Sequence, residues 1–141
     1  IKAYFEKYPG VTKYLEATRQ QARETGYVET LLGRRRSIPE INSPNRQVRE
    51  AAERMAINMP VQGTSADIIK VAMVKLFKEM NERRLKSKML LQVHDELLFE
   101  VPEAELAEMR LLVSEIMSTA VELSIPVKVD IKVGPNWADM K

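Results

Sequence analysis

The chain has 141 residues, 45% hydrophobic and 30% charged, with five Gly, seven Pro and no Cys, the composition of one globular unit rather than a disordered or collagen-like chain. Without cysteine there is no disulfide framework and no thiolate metal site, and with no signal peptide and no apolar run near the about 20 residues of a membrane helix, a cytoplasmic protein with no membrane partner is expected. The net charge of +2 divides into +6 over residues 1–84 and −4 over 85–141, with six of the eleven arginines between Arg34 and Arg54, which suggests an anionic partner for the first half and a use for carboxylates in the second, unless both are merely solvated faces.

Pro9-Gly10 punctuates the opening, and Val11, Tyr14, Leu15 and Thr18 at helical spacing predict a helix to about Glu24, stopped by Gly26. Tyr27 to Leu31 alternates as a short strand, Gly33-Arg34-Arg35 turns it, and Arg36-Ser37-Ile38 returns. Residues 39–45 read as a loop. A helix capped by Asn45 or Ser43 follows, with Val48, Ala52, Met55 and Met59 as its apolar stripe. Pro60 has no N–H and clashes with the carbonyl of Ala56, so the helix should kink or stop there. Thr64 or Ser65 then caps a second helix to about Arg84, with Ile68/Ile69, Ala72/Met73, Leu76/Phe77 and Met80 in the core.

Beyond Arg84 the periodicity becomes extended. Lys88 to Val93 and Leu97 to Val101 are apolar runs of strand length flanking His94-Asp95-Glu96, which predicts a β-hairpin with three ionisable residues at its turn. Pro102 ends the second strand, and a helix from Glu103 to about Glu122 carries Leu106, Met109, Val113, Ile116 and Ala120 at helical spacing. Val127 to Val133 alternates as a third strand, Gly134-Pro135 ends it, and Trp137 is expected to pack the tail onto the body. The layout is α+β: an antiparallel sheet with helices packed on one face.

The hairpin turn holds the most informative chemistry. Turns favour Gly or Asn, because tight ones need φ > 0; here adjacent carboxylates stand at the end of two apolar strands instead. A bound cation such as Mg²⁺ would make sense of them, as would a solvated tip. One His without Cys supplies too few ligands for zinc. No Gly-x-Ser-x-Gly elbow is present, and His94 beside Asp95 in sequence does not make a hydrolase triad. Arg54, Asn58 and Gln62 recur every four residues and so share a helical face, rotated from Met55 and Met59.

Leu91-Gln92-Val93-His94-Asp95-Glu96-Leu97 resembles the palm hairpin of family A DNA polymerases, the DNA polymerase I type. Tyr8-Pro9-Gly10-Val11, Gly26-Tyr27-Val28-Glu29-Thr30, Gly33-Arg34-Arg35 and Arg49-Glu50-Ala51-Ala52-Glu53-Arg54 resemble the same family in its order. So do Asn58-Met59-Pro60-Val61-Gln62-Gly63-Thr64 and the closing Gly134-Pro135-Asn136-Trp137, and the likeness covers essentially the whole chain.

The resemblance implies roles. Asp95 would be a carboxylate ligand of two catalytic Mg²⁺ ions, with Glu96 supporting the site. His94 would lie against the primer end. Arg54, Asn58 and Gln62 would touch the primer–template minor groove near the newest base pairs, joined by Gln92. Arg34, Arg35, Arg46 and Arg49 would meet backbone phosphate, or serve solvation or intraprotein contacts. Minor-groove acceptors look nearly alike for all base pairs, so amide and guanidinium donors there test whether a pair is well formed without reading which pair it is. The implied activity is template-directed addition of dNTPs to a primer 3′ end by two-metal phosphoryl transfer.

The family's other metal-binding Asp, the fingers helix that holds the triphosphate and the thumb have no counterpart in these residues, and the sequence begins Ile1-Lys2 without an initiator Met. The chain therefore reads as the C-terminal part of a polymerase domain, with residues 1–44 as the end of the fingers and 45–141 as most of the palm, inactive without the remainder of the polymerase chain. The rival reading is a non-catalytic primer–template or duplex DNA-binding module. A metal-dependent hydrolase at Asp95 and Glu96 is remote, because no further acid or His cluster completes it.

Overall fold

The computed structural model describes residues 2–140 and divides into two compact units, Ile1–Asp67 and Ile68–Lys141. In the first, helices α1 (Lys2–Lys7) and α2 (Pro9–Thr25) open the chain. Helix α2 begins on Pro9, whose missing N–H costs nothing at a helix start. It ends on Gly26, which turns left-handed at φ 76° and donates its N–H to the Ala22 carbonyl. Strand β1 (Tyr27–Glu29) pairs antiparallel with β2 (Arg35–Ser37), Tyr27 opposite Ser37. The following loop closes in a 3₁₀ turn, Pro39–Asn42. Ala22, Val28, Ile38, Ile41, Ala52, Ala56 and Met59 form the core of this unit.

Helix α3 runs without interruption from Arg46 to Glu82. Of the two expected caps Asn45 serves: its side-chain oxygen accepts the N–H groups of Gln47 and Val48. The expected break at Pro60 does not occur, and Thr64 starts no second helix. Proline deletes only one ladder bond, the one to the Ala56 carbonyl, and the helix carries on past it, with side chains meeting the backbone just beyond. The Thr64 hydroxyl donates to the Pro60 carbonyl at 2.6 Å, and Arg34 Nη2 donates to the Gly63 carbonyl at 3.0 Å. The buried arc of this part of α3 also differs from expectation. Ala52, Ala56 and Met59 face inward, whereas Val48 and Met55 are exposed, because two alanines let the helix pack closely along a line the larger residues flank.

In the second unit the C-terminal half of α3 contributes Leu76 and Met80 to a core shared with Met109, Leu112 and Ile116 of α4 (Leu106–Ser118). Phe77, expected in the core, is 66% exposed, as it lies one residue off that line. A hairpin of β3 (Lys88–Val93) and β4 (Glu96–Glu100) packs Met89, Leu97 and Phe99 against the same cluster. Helices thus cover one face of an antiparallel pair, as the α+β expectation requires. Glu105 pins the segment before β3: its carboxylate accepts the N–H groups of Lys86 and Ser87 and the Ser87 hydroxyl. The Ser87 hydroxyl first, then the Lys86 amide, hold the Glu105 carboxyl below the usual range.

Two expectations for the tail fail. Residues 127–133 keep the alternation, with Val127, Val129, Ile131 and Val133 half-buried between exposed Lys128, Asp130 and Lys132, yet form no strand. Among the described residues the sheets are the pairs β1–β2 and β3–β4 alone. Alternation sets which side faces inward, but a strand needs a neighbour's amides and carbonyls. Trp137 does not pack inward either. It opens a 3₁₀ turn, Trp137–Asp139, capped by the Asn136 side chain, and its indole is 54% exposed. The helix from Glu103 is also shorter than expected: a 3₁₀ turn Glu103–Glu105, then α4 ending at Ser118. Among the described residues no helix is long and apolar enough to cross a membrane.

Candidate functional site

The apolar runs of β3 and β4 pair with Val93 opposite Glu96, so the turn consists of His94 and Asp95 only. Glu96, expected in the turn, is the first residue of β4. His94 has φ 54°, a left-handed conformation that L residues other than glycine seldom adopt and that concentrates at functional sites. The Gln92 side-chain amide donates to the His94 carbonyl at 2.8 Å and braces this turn from the preceding strand. Nearer the base of the hairpin the register slips between Met89 and Leu91, leaving Leu90 as an extra, exposed residue. Such a bulge increases local twist and re-aims the strand leading to the turn. Nothing in the sequence pattern announces it.

His94, Asp95 and Glu96 are all exposed. Neither carboxylate makes an ion pair or a side-chain hydrogen bond among the described residues, so their oxygens are available. Mg²⁺ is typically held through one or two carboxylates, with water and substrate phosphate filling the rest of its octahedron. The Asp95–Glu96 donor set fits that requirement. Among the described residues no group of three or more His, Asp or Glu side chains could enclose a metal by itself, so the pair would provide one side of a shared coordination shell.

In the first unit, Arg54, Asn58 and Gln62 are exposed along α3. Their helical spacing survives Pro60 because the helix does, and they form a donor stripe turned away from buried Ala52, Ala56 and Met59. None of the three side chains is engaged by another described residue. Their neighbour Glu53 is engaged. It pairs with Arg23 at 2.6 Å and lies 3.7 Å from Arg19, tying α3 to α2.

The four arginines considered for phosphate all have protein partners. Arg34 Nε pairs with Asp67 Oδ1 at 2.7 Å while its Nη2 reaches the Gly63 carbonyl. Arg35 pairs with Glu29 at 2.7 Å and stacks over the Tyr27 ring at 4.6 Å. Arg46 pairs with Glu50 one helical turn on, and Arg49 Nη1 donates to the Ser43 carbonyl. Sequence reading missed the cluster of Thr30, Gly63, Thr64 and Asp67 around Arg34. Its one signal was a glycine three residues after a proline, at the expected junction of two helices.

Comparison with known proteins supplies the family. The model of DNA polymerase family A matches residues 1–139. DNA polymerase I of Lactococcus lactis subsp. cremoris (strain MG1363) is 50% identical over 141 residues, covering 100% of this chain and 16% of that protein. The thermostable DNA polymerase I of Thermus filiformis is 51% identical over 141 residues, again 100% of this chain and 17% of its own length. The solved POL domain of Pol1 from M. smegmatis, in complex with DNA primer-template and dNTP, superposes with a TM-score of 0.87 at 54% identity, over 89% of this chain and 22% of that one. The chain thus spans about one sixth of the length of the curated relatives it matches. With a family model running from its first residue almost to its last and relatives half-identical along all of it, the chain belongs to DNA polymerase family A.

Proposed function

We propose that these residues are the C-terminal portion of a DNA-directed DNA polymerase, a nucleotidyltransferase that adds dNTPs to the 3′ end of a primer. Residues 1–44 form the end of the fingers and 45–141 the C-terminal part of the palm. Its partners are primer–template DNA, dNTP and the remainder of the polymerase chain. The observation that carries the proposal is the hairpin tip, with Asp95 in its two-residue turn and Glu96 opening β4, both carboxylates exposed and without side-chain partners, in a family one of whose solved members holds primer-template and dNTP.

Asp95 is the metal ligand and Glu96 supports it. When bound, two Mg²⁺ ions supply charge neutralisation on the triphosphate and a lowered pKa for the attacking 3′-hydroxyl. The protein's own task is positioning. The strained turn holds the His94 imidazole against the primer end, and Gln92 keeps that turn in shape. Arg54, Asn58 and Gln62 donate to purine N3 and pyrimidine O2 atoms in the minor groove, which every correct pair presents alike. A misformed pair displaces those acceptors and loses the bonds. Arg46, the most exposed of the four flanking arginines, meets backbone phosphate.

The test is a chimera in which these 141 residues replace the matching segment of the Lactococcus lactis enzyme. With Mg²⁺ and all four dNTPs it should extend a primer. Asp95→Ala should cut incorporation by about 10³-fold or more, as loss of a charge-stabilising group does, while primer–template affinity by fluorescence anisotropy stays within about twofold. Near-normal incorporation by Asp95→Ala removes the metal-ligand role. A chimera that binds primer–template but never extends it supports the non-catalytic binding module instead.

A further inference from the structure

The β1–β2 turn grips helix α3 beside its proline. Pro60 deprives α3 of one ladder bond, two residues before Gln62. Three hydrogen bonds from the turn meet the helix there, beside one within it. The Leu31 N–H donates to Thr64 Oγ1 at 2.9 Å, and the same hydroxyl donates to the Pro60 carbonyl at 2.6 Å. Arg34 adds its Nη2 bond to the Gly63 carbonyl at 3.0 Å and its Nε bond to Asp67, a buried residue, at 2.7 Å. Arg34 is itself held by its own turn: its N–H donates to Thr30 Oγ1, and its carbonyl accepts the Thr30 N–H. The approach is so close that a Cβ on Gly63 would stand 2.6 Å from Thr30 Cγ2 and 3.2 Å from Arg34 Nη2.

Residues 60, 63, 64 and 67 lie on one side of α3. At about 100° per residue, Gln62 falls about 200° round from Pro60, on nearly the opposite side. The turn therefore holds the helix from behind and leaves the donor stripe clear. We propose that Arg34 is a positioning residue for Gln62: with Thr64 and Gly63 it fixes the helical turn that aims the Gln62 amide into the minor groove. This rests on the minor-groove reading of Gln62, and it takes the place of a phosphate contact by Arg34.

In the chimera, Gln62→Ala, Arg34→Ala, Arg34→Lys and Thr64→Val are compared on primer–templates whose terminal pairs carry, one position at a time, a 3-deazapurine that lacks the N3 acceptor. The parent chimera should lose about tenfold in kcat/KM at the pair Gln62 contacts, the scale of one hydrogen bond. Gln62→Ala should abolish that sensitivity. Arg34→Ala, Arg34→Lys and Thr64→Val should reduce it to about twofold or less, through kcat rather than KM for primer–template, because one bond to a misaimed amide is lost and the phosphate contacts are not.

Sensitivity kept by Gln62→Ala overturns both this inference and the minor-groove role of Gln62. Sensitivity lost in Gln62→Ala but kept in Arg34→Ala or Arg34→Lys overturns the positioning role alone, whatever Thr64→Val shows. A fall in affinity of Arg34→Ala on all sequences, with the salt slope reduced by about one, would make Arg34 a phosphate contact and likewise overturn it. Thr64→Val touches the other pair of bonds on the same turn of α3, and Arg34→Lys, whose single ammonium cannot reproduce the guanidinium fork on Gly63 and Asp67, decides the role of Arg34 where Arg34→Ala fails to fold.

Discussion

The Gln92 side chain and the His94 carbonyl are joined by a 2.8 Å hydrogen bond across the turn that presents Asp95. That bond braces a residue at φ 54°, where a side chain costs about 1–2 kcal/mol. Gln92→Ala should leave global stability within about 1 kcal/mol, the net worth of one exposed hydrogen bond. On the proposed reading of Asp95, incorporation by the chimera should fall by about tenfold, because a small displacement of a turn that carries a metal ligand is costly. Single-turnover kinetics beside thermal unfolding separate the two effects, and an unchanged rate would show that the brace is dispensable.

Gly63 tolerates no side chain as the neighbouring turn stands. Gly63→Ala should destabilise the chimera by about 1–3 kcal/mol through overpacking, since the new methyl would meet Thr30 Cγ2 at 2.6 Å. Thr30→Ser removes that methyl and keeps the hydroxyl that accepts the Arg34 N–H. The double variant should regain most of the lost stability. Additive losses in the double variant would place the strain elsewhere.

Arg84 ends helix α3 at φ 56°. Its N–H donates to the Asn81 carbonyl while the Leu85 N–H donates to the Met80 carbonyl, the paired bonds of a left-handed helix stop. Glycine is the residue this geometry favours. Arg84→Gly should therefore stabilise the fold by about 1 kcal/mol. Denaturant unfolding would read it as a raised midpoint with an unchanged slope, and a lowered midpoint would mean that Arg84 contributes contacts worth more than its strain.

The Glu105 carboxyl is held below its ordinary value of 4.5, by the Ser87 hydroxyl first and the Lys86 amide next. The folded chain therefore binds fewer protons than the unfolded one between the two values. The stability this gives is present above the ordinary value and is lost as pH falls through the folded-state value. Glu105→Gln should flatten the acid limb of a stability–pH curve near and below 4.5 and lower stability at neutral pH. An acid limb of unchanged slope would remove Glu105 as its source.

The sequence by itself determined the local features of this protein. Asn45 caps, Gly26 stops and the apolar runs flanking His94-Asp95 pair, because cap chemistry and side-chain period act over a few residues. The donor spacing of Arg54, Asn58 and Gln62 and the acidic turn were legible for the same reason, and the motifs around them carried the family. Tertiary structure decided what depends on residues far apart in the chain. Helix α3 continues through Pro60, and Arg34 reaches the Gly63 carbonyl and Asp67 just beyond it, neither of which a local reading of the proline anticipates. Residues 127–133 alternate yet form no strand, since ladder bonds require a partner that periodicity does not name. Arg34, Arg35, Arg46 and Arg49 look alike in sequence. Their partners separate them: Asp67 and Gly63 about 30 residues away for the first, Glu29, Glu50 and Ser43 close by for the others. A guanidinium's role is set by which carboxylates and carbonyls the fold brings within reach, and that is a property of contacts rather than of composition.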